Sequence, residues 1–175
     1  MRRVNPSHRT PVNIQVIDMA KKPKTPILVP IDFSPHSTVA LLKACEMAKC
    51  MEQSITILHV VHDPGEMPGY YSHQDGDENA LVRIEDLALD MLETFMQKTI
   101  EKHPEIKLLQ KAETMLVTGL PVTRILEVAE KIDASMIVMG SQGRTGLKHI
   151  MLGSKAEQVV RLSQIPVTIV KATNI

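Results

Sequence analysis

Short, nearly continuous apolar runs alternate along this chain with stretches of helical spacing, and that alternation restricts the fold more than any other feature. Ile27-Leu28-Val29-Pro30-Ile31 and Ile55-Thr56-Ile57-Leu58-His59-Val60-Val61 are apolar or β-branched almost throughout. Strands of that kind are covered on both faces, as in a parallel sheet between two layers of helix. Between them, Ser34-Pro35 supplies an N-cap and a proline at the first helical position, opening a helix that runs to about residue 51. Its apolar face is read as Val39, Ala40, Leu42, Ala44 and Met47. A second helix is expected over 78–102, with Leu81, Ile84, Leu87, Ala88, Met91, Leu92 and Phe95 at helical spacing and Pro104 beyond its end. Strands follow at 111–118, 135–140 and 166–171, with helices at 121–132 and 154–163. The order β-α-β-α-β-α-β-α-β describes an α/β fold, a Rossmann-like, doubly wound sheet of five parallel strands with four helices. In the common strand order 3-2-1-4-5, a ligand lies at the carboxyl ends of strands 1 and 4, where the winding reverses.

The exits of those two strands carry the chemistry. Strand 4 ends in Met136-Ile137-Val138-Met139 and runs into Gly140-Ser141-Gln142-Gly143-Arg144-Thr145-Gly146; Gly153-Ser154 then opens the last helix. Glycines at a strand exit let the backbone turn sharply and come close to a ligand. A helix N-terminus beside them presents unpaired N–H groups, and the two together cradle phosphate. The spacing is neither a Walker A loop nor the G-x-G-x-x-G fingerprint. Ser154 suits either a cap or a phosphate contact, and Asp32 at the exit of strand 1 suits either a turn or a ligand contact. Arg144, Lys148, His149 and Lys155 are the charges available to phosphate, although loop charges of this kind are commonly just solvated.

Bulk properties exclude other classes. The 175 residues suit one domain, with residues 25–175 as its body. Formal net charge is zero, and the aromatics are only Phe33, Phe95, Tyr70 and Tyr71, so the chain has neither the field nor the stacking platforms of a nucleic-acid binder. No run approaches the roughly 20 apolar residues of a membrane helix. No apolar stretch follows Arg2 and Arg3, so no secretory signal is expected and a cytoplasmic location is the default. Residues 1–24 set Arg2, Arg3, Arg9, Lys21, Lys22 and Lys24 against Asp18 and are broken by prolines, the composition of a flexible basic tail. Cys45 and Cys50, five apart on a helix, point in different directions and cannot easily bridge, so they are read as two buried thiols rather than a redox pair. His59, His62 and His73 lack the tight spacing of a transition-metal site. Residues 62–77 form a loop long enough for a lid.

The pattern resembles the universal stress protein family, in its ATP-binding subgroup. The resemblance covers about residues 25–172. It is most specific at Ile137-Val138-Met139-Gly140-Ser141-Gln142-Gly143-Arg144-Thr145-Gly146, at Leu152-Gly153-Ser154 and at Ile165-Pro166-Val167; Val29-Pro30-Ile31-Asp32-Phe33-Ser34 and Leu58-His59-Val60-Val61 are similar to the family's first two strands. The resemblance implies ATP, or another adenine nucleotide, with Mg²⁺. It implies that Pro30, Ile31 and Val60 read the adenine, that Asp32 lies near the ribose, phosphates and metal, and that Met139 and Gly140 flank the sugar. Gly143, Gly153, Ser154 and the backbone of Lys155 would hold the phosphates, with Arg144 beside them. It also implies a homodimer through Val167–Val170.

Three activities stay open on the residues alone: a nucleotide-regulated binding module acting on an unidentified protein partner, a slow ATPase or phosphotransferase, and an adaptor that uses no nucleotide. No side chain stands out as a base for activating water, which favours binding over fast turnover. The glycines favour a used pocket over an idle one, since their backbone freedom is costly where nothing needs it.

Overall fold

The computed structural model describes residues 25–62, 80–143 and 152–172, with side chains omitted over 80–84. The elements run β1 (Ile27–Ile31), α1 (Pro35–Met51), β2 (Ile55–Val61), α2 (Ala80–Lys102), α3 (Lys107–Lys111), β3 (Glu113–Thr118), α4 (Pro121–Lys131), β4 (Met136–Gly140), α5 (Ser154–Leu162) and β5 (Val167–Val170). All five strands are parallel, in the order β3-β2-β1-β4-β5. The expected basic tail, most of the 62–77 loop, His73, Arg144, Lys148 and His149 lie outside the described residues.

Alternation along the strands divides the interior into two layers. Ile27, Val29 and Ile31 join a cluster with α1, α2 and α3, whereas Leu28 joins Leu58, α4 and α5 on the opposite face. Ile27, Leu28, Ile57, Leu58 and Ile137 are fully enclosed. Each such side chain contributes about 1.5–3 kcal/mol of transfer free energy.

Helix α1 begins as the sequence dictates. Ser34 is extended, its Oγ accepts the Ser37 N–H at 3.2 Å, and Pro35 occupies the first turn. Its buried stripe is Ser37, Ala40, Leu41, Ala44, Cys45 and Ala48; the expected Ala40 and Ala44 belong to it, whereas the expected Val39, Leu42 and Met47 are half-buried. Small residues face the sheet here because the central helix must lie close to it. On α2 the buried residues include Ala88, Leu92 and Met96, while Leu87 is exposed. Helix α3 was not expected. Its five residues are too few to show a period, and only Leu109 is buried. It occupies Lys111, so β3 starts later than the sequence suggests.

The two thiols differ, contrary to the expectation that both are buried. Cys45 is enclosed and Cys50 is exposed. Burial, with the neighbouring Glu46 carboxylate, pushes the Cys45 thiol up to about 11. At pH 8 a disulfide-exchange reagent should titrate Cys50 alone in the native protein, and both thiols only in denaturant. Equal native reactivity of the two would contradict this placement.

Candidate functional site

The sheet opens where β1 and β4 leave it. Five residue pairs join β1 to β2, but β1 pairs with β4 only at Ile27–Met136 and Leu28–Ile137. Pro30 accounts for the difference. The Ile27 N–H donates to Ser54 O, 2.9 Å away on the β2 side. Parallel-strand alternation therefore turns the Leu28 amide, and the Pro30 nitrogen after it, toward β4. Proline has no hydrogen to give, so the ladder stops and the strands part. The crevice this leaves lies at the carboxyl ends of the strands, at the reversal of winding.

One wall is the turn after β1. Asp32 Oδ1 accepts from both the backbone N–H (3.1 Å) and the hydroxyl of Ser34. Between them Phe33 sits at φ +63°, a left-handed conformation that costs an aromatic residue about 1–2 kcal/mol. Its ring lies 4.2 Å from that of His59 and 5.6 Å from that of Phe95. His59 donates its Nδ1–H to Ile31 O at 2.9 Å, since a carbonyl only accepts. That histidine thus secures the end of β1. Among the described residues no three His, Cys, Asp or Glu side chains gather as a metal site.

The other wall is the β4 exit and the start of α5. Ser141 is buried, donates its N–H to Val170 O at 2.9 Å and accepts the Gly153 N–H at 2.7 Å. That pair draws the N-terminus of α5 against the end of β4. Gly153 is the N-cap, with no side-chain hydrogen bond to the first turn. The expected alternative of Ser154 as cap is thereby corrected: Ser154 is the first helical residue and is exposed. A glycine cap has no oxygen to offer, so the first amides of α5 keep their donor capacity for something else.

The glycines act by leaving space. Gly140, Gly143 and Gly153 do not have positive φ; among the described glycines only Gly119 does. None of these three therefore takes the left-handed conformation that favours glycine. A Cβ on Gly140 would stand 3.0 Å from the His36 backbone, so this glycine lets α1 close on β4. A Cβ on Gly143 would stand 2.7 Å from Asp32 Oδ2, which brings the two walls together at this point. A Cβ on Gly153 would meet Ser141 O at 3.4 Å.

The candidate residues are distributed over β1, β2, β4 and the start of α5. Pro30 and Ile31 are buried at the end of β1, and Asp32 is half-buried. Val60, half-buried on β2, and Met139, buried on β4, belong to the cluster on the α4/α5 face. Lys155 is exposed beside Ser154. Ser141, Phe33 and His36 were not singled out in advance. Ser141 stood within the glycine run, but nothing in the spacing marked its carbonyl as the anchor of α5.

Known proteins share this architecture. The model described as the Universal stress protein family matches residues 24–171. Universal stress protein YxiE of Bacillus subtilis is 35% identical over 150 residues, spanning 83% of this chain and 97% of that protein. Universal stress protein MJ0577 of Methanocaldococcus jannaschii is 30% identical over 155 residues, spanning 85% and 95%. The solved structure of MJ0577 superposes with a TM-score of 0.64 at 27% identity, covering 87% of this chain and 99% of that one. The universal stress protein from Archaeoglobus fulgidus in complex with dAMP superposes at a TM-score of 0.52 and 18% identity, covering 83% and 96%, a likeness of fold.

Gly140→Ala tests the packing of this wall. Its methyl meets helix backbone that cannot swing aside, so urea unfolding should show a loss of about 1–3 kcal/mol. An unchanged midpoint would mean that α1 does not approach β4 so closely.

Proposed function

This chain belongs to the universal stress protein family, and on that premise we propose that it is a regulatory binding protein holding an adenine nucleotide between the ends of β1 and β4. The observation that carries the reading is the α5 N-terminus. Its amides lack a side-chain cap and lie next to the β4 exit, across from Asp32. Unpaired amides at the positive end of a helix dipole suit the phosphates of a nucleotide. That a family member of the same fold is a complex with dAMP supports the choice of adenine.

In this reading each residue has a physical task. The base occupies an apolar slot beside Val60 and Met139, and backbone groups of Pro30, Ile31 and Val60 read its edge. Asp32, whose Oδ2 lies on the Gly143 side, accepts from ribose hydroxyls or approaches phosphate-bound Mg²⁺. Met139 and Gly140 flank the sugar. Amides of Gly143, Gly153, Ser154 and Lys155 grip the phosphates, and Arg144 and the Lys155 ammonium offset their charge. In this reading occupancy rather than turnover is the output. The chain acts in the cytoplasm, with residues 1–24 as a tail separate from the nucleotide-binding domain.

The second part of the proposal is a homodimer. Strand β5 forms one edge of the sheet, and Val160 and Leu162 of the preceding helix are exposed. An unpaired edge with apolar neighbours suits pairing of Val167–Val170 with a second copy. A protein partner would read the nucleotide state of that assembly.

ATP with Mg²⁺ should raise the melting temperature, adding about 2.7 kcal/mol at 100 times Kd. Gly143→Val should abolish that shift while the variant still folds, because its branch fills the space between Asp32 and the amides. Normal ATP binding by the variant would misplace the cradle. Phosphate release at about 1 per second or faster would make the protein an enzyme rather than a binding module.

A further inference from the structure

A groove lies away from the β4 exit, between the start of α1 and the C-terminal half of α2. It is a groove of about 400 Å³, floored by Phe33, Val39 and Phe95 and edged by Lys98, Lys102 and His103. We propose that this groove is a binding site for a small anionic amphiphile, a medium-chain carboxylate, with its chain on the aromatic floor and its head group between Lys98 and Lys102.

Three observations converge on that ligand class. The volume falls within the roughly 300–1,000 Å³ of small-molecule sites. The floor is apolar, and its hydroxyls are already committed: Thr99 donates to Phe95 O at 2.7 Å and Thr38 to Ser34 O at 3.3 Å. The body of the ligand is therefore hydrocarbon. The rim has one sign of charge. Lys98 and Lys102 stand one helical turn apart, where like charges repel, and neither has an ion-pair partner among the described residues. His103 lies 3.6 Å from Glu105. No carboxylate among the described residues lines the groove. A bound carboxylate would relieve the lysine–lysine repulsion, whereas a cationic head group would add to it.

Titration calorimetry on the full chain without nucleotide tests the site independently of the crevice. Sodium decanoate, kept below its micelle concentration, should bind saturably at one per chain, and decyltrimethylammonium should not. The surface double variant Lys98→Glu/Lys102→Glu, checked for native circular dichroism, should weaken decanoate by about tenfold or more and let the cationic amphiphile bind. Val39→Trp, which fills the floor, should lose both. Absence of saturable decanoate binding would overturn the proposal. So would equal binding of both amphiphiles to both proteins, which marks unspecific apolar adsorption. Displacement of decanoate by excess ATP would also overturn it, by locating the amphiphile in the crevice.

Discussion

The site depends on one missing hydrogen bond. A proline in the central strand of a parallel sheet removes a donor that the neighbouring strand would otherwise use. Here the missing donor faces β4, and β1 and β4 are paired at only two positions before they part. Both strands are otherwise held firmly, by five pairs to β2 and four to β5. The gap is therefore fixed by the fold rather than left to fluctuation. Everything placed at its mouth inherits that rigidity: the Asp32 turn on one side, and the Ser141 anchor of α5 on the other.

Local strain marks the same place. Phe33 takes a left-handed conformation that its Cβ disfavours. Two hydrogen bonds from Ser34 to Asp32 and two aromatic contacts hold it there. The turn thus aims the carboxylate into the crevice and the ring onto the groove beside α2. A single residue pair connects two concave surfaces that point in different directions.

Much of this was legible in the sequence, for identifiable reasons. Continuous apolar runs alternating with helical spacing pointed to a parallel sheet, and its strand order is the common one for such a fold. β1 and α1 were bounded correctly because Ser34 and Pro35 act locally and leave no alternative. Helix α3 was hidden because five residues hold too little period, and its stability comes from docking Leu109. The face of α1 was read correctly at Ala40 and Ala44 but too widely at Val39, Leu42 and Met47, because large apolar residues suggest burial. The sheet takes the small residues and Leu41, and with them Cys45, leaving Cys50 outside. The glycines stood out in the sequence as places where backbone can come close to another group. Their value is the room they leave for His36, Asp32 and Ser141, a tertiary property that no local rule reveals. Ser154 was read as a possible cap because its type fits, but the helix starts one residue earlier than that reading needs.

The central claim is that main-chain amides at the meeting of β4 and α5 grip phosphate opposite Asp32. The most direct test is a proton–nitrogen correlation spectrum of the isotope-labelled protein, titrated with ATP and Mg²⁺. The account predicts that the amides of Gly143, Gly153, Ser154 and Lys155 shift most, joined by Asp32, while amides of α3 and β3 stay in place. Saturable shifts centred on any other surface, with those amides unmoved, would contradict it.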